Sequence, residues 1–298
     1  MPETKLLKRN PGQSRWISST TFLAPAVIFF ALFSWWPIIW SFVISFQEYN
    51  ISPNIPSKWV GFENYRDLFS DRNFYRAWRN VIMYVGMALV IGFFVPVVLA
   101  ILINELRHIR GFLRLSYYLP AILPVVVISL IWKYLYHPGP GGFFNTLLHP
   151  VTEEPIRWFY TDPLAIFAMV IMTTWRGAGA TMIIYLAAIG GIPSQLYEAA
   201  EIDGASIWRR LWHITIPELV PIMSIILILQ MLGTFKIFAE PYIMTKGKTV
   251  TVMTYIYEKA FHSMDPGVAT AMSMTLFAAL VILSVVYFYV QKKVLAKF

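Results

Sequence analysis

Between Trp16 and Gln47 the chain runs for 32 residues without one charged side chain. About 20 apolar residues in a helix cross ~30 Å of hydrocarbon. In lipid a helix satisfies its own backbone, which an open strand or loop cannot do. Five further stretches fit this requirement: 25 residues between Arg79 and Glu105, 18 between Arg114 and Lys133, Pro163 to Gly190 interrupted by Arg176, Glu218 to Phe238, and 26 between Asp265 and Lys292. The expectation is an all-α polytopic membrane protein. Its six spans fall at about 21–46, 80–104, 114–136, 163–190, 216–238 and 267–291, after an N-terminal segment 1–20 and before a tail 294–298. The first run exceeds the 7–15 residue apolar region of a signal peptide. Trp35, Trp36 and Trp40 fill its second half, so it reads as a retained helix.

Charged residues make up 13% of the chain, about half the usual share of a soluble domain, which excludes an ordinary soluble enzyme or a disordered chain. The absence of cysteine excludes disulfides, thiolate metal sites and a cysteine nucleophile. The net charge of +8 is a topology signal. Twelve Lys and Arg fall in the N-terminus, the 104–114 and 191–212 loops and the C-terminus, against nine spread over the longer opposite loops. The first group is expected in the cytoplasm, with both termini inside. Nucleic acid is not an expected partner.

Gly247-Lys248-Thr249 ends like a phosphate-binding loop, but Tyr242 stands where that loop needs glycine. The five histidines lack metal spacing, and the carboxylates show no acid–base pair. No catalytic apparatus and no cofactor are expected in this chain. Between the first two spans Trp59, Phe62, Tyr65, Phe69, Phe74, Tyr75 and Trp78 alternate with charges, as in a short amphipathic segment at a membrane surface or under a partner.

The loop before the fifth span carries more information. Ser194 is placed to cap a helix over Gln195 to Asp203, and Gly204 to end it in the left-handed conformation. A second amphipathic stretch then leads to Pro217. Glu198-Ala199-Ala200, three residues, Gly204, nine residues and Ile214-x-Ile216-Pro217 resemble the EAA motif of ABC importer permeases, with Ile216 where the family pattern has leucine. Asp203-Gly204-Ala205 resembles the wording of the sugar branch, the maltose, lactose and glycerol-3-phosphate type. Six spans and a motif between the fourth and fifth also match that arrangement.

This resemblance implies a type I importer permease that carries a sugar or oligosaccharide. Glu198, Ala199, Ala200, Asp203 and Gly204 would dock on an ATPase subunit dimer that holds the ATP and Mg. A second homologous permease and an extracytoplasmic solute-binding protein are the other implied partners, in a bacterial cell membrane. Substrate contacts would fall at Trp175, Arg176, Gly177, Gln230, Gly233, Thr234 and Ile237, where rings stack on sugar faces and polar groups bond hydroxyls.

Arg176 lies deep in its span, where an ionisable group faces a cavity or a partner. Neither Glu218 nor Glu240 is expected at its depth, so an acidic saccharide or sugar phosphate stands beside a neutral one as substrate. Lys236 is expected to snorkel or to pair with Glu240 one turn on. An intramembrane glycan- or lipid-modifying enzyme would need clustered carboxylates or histidines, and a scaffold would need no loop of this kind.

Overall fold

A computed structural model describes residues 11–295 except Pro53, Arg107, Pro140 and Glu153, with side chains from 21 to 293. Residues 1–10 and 296–298, with the basic residues counted there and Arg107, lie outside the described residues. In order the elements are α1 (Pro11–Phe30), a π turn (Ala31–Trp35), α2 (Trp36–Ile44), β1 (Gln47–Glu48), β2 (Lys58–Trp59), α3 (Glu63–Ser70), α4 (Arg72–Val90), α5 (Phe94–Glu105), α6 (Arg110–Ile122), α7 (Val125–Leu135), α8 (Phe143–Leu148) and α9 (Asp162–Gly190). Then follow α10 (Ser194–Ile202), α11 (Ile207–Arg210), a π turn (Leu211–Thr215), α12 (Ile216–Phe235), α13 (Ala239–Thr245), α14 (Val252–Tyr257), a π turn (Glu258–His262) and α15 (Pro266–Leu295). β1 and β2 form an antiparallel hairpin that pairs Gln47 with Trp59.

Among the described residues five helical stretches are long and apolar enough to cross a membrane: Thr21–Ile44, Arg72–Glu105, Asp162–Gly190, Ile207–Phe235 and Pro266–Lys293. Helices α6 and α7 meet the same criterion only as a pair joined at a 98° bend, which makes six crossings when the pair is counted as one span. The span expected at 114–136 thus holds a sharp break. Pro124 drives Leu123 into an extended conformation (φ −67°, ψ 142°), since the residue before proline avoids the helical region.

The second span starts at Arg72, not near 80. The Asp71 carboxylate caps it by accepting from the Asn73 amide at 2.8 Å. Its first turns carry Arg72, Arg76 and Arg79, so an apolar window misses them. The fifth span also begins earlier, at Ile207. The second amphipathic stretch is not separate from it, because the helix runs on from Ile207 through a π turn into α12. In that turn the Ile216 amide reaches Leu211 oxygen, just before Pro217. The same device precedes Pro37, where the Trp36 amide reaches Ala31 oxygen. A proline ring clashes with the carbonyl four residues back, and a widened turn moves that carbonyl out of line.

Helix α9 is the centre of the bundle. Ala165, Ile166, Ala168, Met169, Val170 and Met172 are fully buried on it, as in a helix with neighbours all round. Its N-terminal half packs with Tyr84 of α4 and Ile128 and Trp132 of α7. Its other half packs with Val97 and Ile103 of α5 and Leu219 and Ile226 of α12. The first span is the opposite case: α2 leans on α15, while Phe22, Phe33 and Trp36 are exposed. The aromatic stretch after it divides. Leu68 and Phe74 are buried, Trp59 and Phe62 are exposed, and buried Asn64 donates to Ser45 and Gln47 oxygens, both at 2.9 Å.

Polar ties fasten the bundle end that carries α3 and α14. Arg76 bonds both Asp162 oxygens, at 2.7 and 3.0 Å, and Asn80 donates to Val250 oxygen at 2.9 Å. Tyr255 hydroxyl donates to Asp71 at 2.9 Å, and Lys259 lies 3.5 Å from the same carboxylate. Burial pushes the Asp71 carboxyl up, but the Asn73 amide, the Tyr255 hydroxyl and Lys259 outweigh it and hold it below the usual carboxylate range. A carboxyl depressed in the folded state stabilises above its unfolded value of about 3.9 and loses that contribution as pH falls through the folded value. The melting temperature of wild type should therefore fall below about pH 4. Asp71→Asn should lie lower at neutral pH and show a shallower acid fall, as read by thermal unfolding in detergent across pH.

Close packing gives a second expectation. A Cβ at Gly179 would stand 1.9 Å from Tyr117 oxygen, a backbone atom that cannot swing away. Gly179→Ala must force α6 off α9 and should cost about 1–3 kcal/mol or more. A Cβ at Gly86, inside α4, meets nothing within 4 Å. Gly86→Ala should be neutral or gain up to about 1 kcal/mol by helix propensity. Comparing the two in the same unfolding assay checks both.

Candidate functional site

A cavity of about 740 Å³ lies between the α4–α5 break, α9, α12 and the turn into α13. Helical periodicity brings its polar residues together. Thr173, Gly177 and Thr181 stand four apart on α9, with Thr174 and Arg176 beside them; Ile226, Gln230 and Thr234 stand four apart on α12. Tyr84, Ala88 and Gly92 of the second span face them.

The α4–α5 break belongs to this wall. Phe93 amide reaches back five residues to Ala88 oxygen at 3.1 Å, one turn before Pro96, which has no amide hydrogen to offer. Gln230 Nε2 donates to the same Ala88 oxygen at 2.8 Å. Gly92 makes this approach possible, because a Cβ there would lie 2.9 Å from Gln230 Nε2 and 3.1 Å from Thr174 Oγ1. Tyr84 hydroxyl and Thr173 Oγ1 are 3.1 Å apart. Thr234 spends its hydroxyl on Gln230 oxygen at 2.7 Å.

Of the residues anticipated for the substrate path, Arg176, Gly177, Gln230, Gly233, Thr234 and Ile237 line this cavity. Trp175 does not. It projects from another face of α9, half exposed, with its ring 5.4 Å from that of Trp132.

The charges also differ from expectation. Arg176 Nη2 lies 3.0 Å from Glu240 Oε1, so Glu240 is its partner at depth. The expected pairing of Lys236 with Glu240 needed one continuous helix. Instead α12 ends at Phe235, and the chain turns before α13 begins at Ala239. The turn folds Glu240 back into the bundle, with its side chain 8% exposed, while Lys236 is exposed at the cavity edge. The stretch from Pro241 to Pro266 thus contains packed helices. Lys133 Nζ donates to Ile243 oxygen at 2.9 Å and Thr251 Oγ1 to Ile237 oxygen at 3.2 Å. Lys246 (φ +54°) and Gly247 (φ +76°) close α13 in a tight turn. Sequence reasoning did not assign Glu240, Tyr84 or Gly92 to this cavity, because the break and the turn that gather them are tertiary features.

At the other end of α12 stands the motif turn. Helix α10 has no buried residue, and Glu198, Ala199, Asp203 and Gly204 are exposed while Ala200 is half-buried. Gly204 is left-handed (φ +70°), with its amide on Glu201 oxygen at 3.0 Å and that of Ala205 on Ala200 oxygen at 2.8 Å. These two bonds are the glycine-dependent helix stop expected there. Ser194 is the first residue of α10 and makes no cap; Pro193 precedes it. Tyr197 hydroxyl and Thr215 Oγ1 are 2.9 Å apart, and Arg210 pairs with Glu201, so α10 is fastened to the fifth span. Ile202, Ile207, Trp208 and Trp212 are exposed beside it.

Comparison with known proteins agrees in sequence and in fold. Residues 92–296 match the family described as binding-protein-dependent transport system inner membrane component. The arabinooligosaccharides transport system permease protein AraP of Bacillus subtilis is 30% identical over 271 residues, covering 89% of this chain and 85% of that protein. A bacterial ABC transporter involved in the import of the acidic polysaccharide alginate has a chain that superposes with a TM-score of 0.81 at 25% identity, covering 94% of this chain and 96% of the other. A bacterial alginate ABC transporter, solved with an alginate pentasaccharide-bound periplasmic protein, gives 0.82 at 24% identity, with 95% and 96% covered. The chain belongs to the binding-protein-dependent transport system inner membrane component family, and it is an ABC transporter permease.

Proposed function

We propose that this permease forms half of a pathway for a sugar or oligosaccharide across the bacterial cell membrane, with both termini in the cytoplasm. The observation that carries the reading is the cavity between α4–α5, α9 and α12. There amide, hydroxyl and guanidinium groups gather within an apolar bundle, the composition that recognises a polyhydroxylated ligand. A second, homologous permease completes the wall. An extracytoplasmic binding protein delivers the sugar, as the periplasmic protein solved with the alginate transporter suggests.

The exposed turn at Glu198–Gly204 is read as the dock for an ATPase dimer. ATP and Mg act on those subunits, and this chain contributes no catalytic group. Two features support the reading: α10 buries nothing in its own chain, and its hydrogen bond to Thr215 passes any movement to the span whose far half carries Gln230 and Thr234. The named relatives include carriers of neutral and of acidic saccharides, so kinship does not choose between them.

Gly204→Leu should leave the spans intact. A Cβ there meets nothing within 4 Å, and a left-handed leucine costs about 1–2 kcal/mol in a turn outside the lipid. Co-purification of the ATPase and ATP-dependent uptake in proteoliposomes should fall roughly tenfold or more, a loss equivalent to one well-packed contact. Glu198→Ala should reduce the same two readouts to a smaller extent. Normal coupled uptake in both variants would remove the docking assignment. Uptake by this chain alone, without ATPase, would remove the whole reading.

A further inference from the structure

The charged side chains that line the cavity are Arg176, Lys236 and Glu240. Glu240 is the most enclosed, 8% exposed, and Arg176 is 29% exposed. A carboxylate so enclosed needs a partner, and Arg176 is that partner. Their contact joins one nitrogen to one oxygen at 3.0 Å. A guanidinium has five N–H donors in a planar fork, so others remain for a ligand in the cavity.

We propose that Glu240 is a specificity-determining residue: it neutralises and orients the Arg176 guanidinium, so that the cavity selects an uncharged sugar unit over a carboxylated one. The inference rests on the reading of this cavity as the saccharide pathway. A hydroxyl accepts a hydrogen bond from the held guanidinium with no charge to balance. A carboxylate approaching the same donors meets Glu240 behind them, and repulsion offsets attraction where water is scarce. Lys236 does not reverse this balance. Its ammonium is exposed at the edge, strongly hydrated, and lacks the planar fork that matches a carboxylate.

Glu240 is also positioned independently of Arg176. Helix α13 is tied to α7 by Lys133 on Ile243 oxygen, and within it Thr245 Oγ1 bonds Pro241 oxygen at 2.6 Å. Loss of the Glu240 charge therefore leaves its backbone in place.

The test uses the complete transporter, with second permease and ATPase, in nanodiscs. The probes are a neutral tetrasaccharide and its uronic-acid counterpart, and the readout is the ratio of their Kd values by saturation-transfer NMR. Wild type should favour the neutral sugar. Glu240→Gln should shift the ratio toward the acidic one by roughly tenfold or more, the scale of one charge-assisted hydrogen bond. Adding Arg176→Gln to Glu240→Gln should abolish the shift. An unchanged ratio in Glu240→Gln with an unchanged melting temperature overturns the proposal. Should Glu240→Gln fail to assemble, Arg176→Glu combined with Glu240→Arg takes its place. That swap should keep the neutral preference, and its loss overturns the proposal. Gln230→Ala separates the two layers. Weaker binding of both probes upholds the pathway reading, whereas binding of both as in wild type overturns that reading and this assignment with it.

Discussion

A carbonyl or amide released from a helix inside hydrocarbon has no water to bond, so each interruption of a span must be closed by another part of the protein. The cavity is built from two such interruptions. At the first, Ala88 oxygen takes the Phe93 amide and the Gln230 side chain. At the second, the chain leaves α12 at Lys236 and returns as α13, with Ile237 oxygen bonded by Thr251 and Ile243 oxygen by Lys133. The polar groups that satisfy the backbone and those that face the cavity are partly the same. Gln230 does both, so opening of the break would change the cavity wall directly.

The same scarcity of water governs the charges. An ion pair at a protein surface is worth little, whereas removal of one partner of an enclosed pair leaves a charge that neither solvent nor protein balances. Arg176 and Glu240 therefore form a unit, and the character of the cavity follows from the unit. The distant end of α12 obeys the opposite rule. There α10 is exposed, with its helix end closed by the Gly204 turn and apolar side chains exposed beside it.

Sequence reasoning reached these features unevenly. The long apolar spans were legible, because a ~30 Å apolar layer demands long uncharged runs. Prolines within or beside the spans do not by themselves fix the form the helix takes. Pro124 yields a 98° bend, whereas Pro37 and Pro217 are absorbed by π turns within continuous helices. Helix starts were misplaced wherever arginines lie on the first turns, as at Arg72, because hydropathy reports lipid contact and not helix formation.

The motif turn and the stripes on α9 and α12 were set by local chemistry. Gly204 takes the left-handed conformation that other residues resist, and 3.6-residue periodicity aligns Gln230 with Thr234 on any helix. Which stripe faces the cavity depended on packing, since α9 is surrounded and only its neighbours decide that Arg176 turns inward while Trp175 meets Trp132. The partner of Arg176 was beyond sequence altogether. Glu240 stands 64 positions further on, four after Lys236, and spacing along a helix assigns it to lysine. The reversal at 236–238 brings it to arginine instead, because contact between charges depends on distance in space, which that turn alone creates.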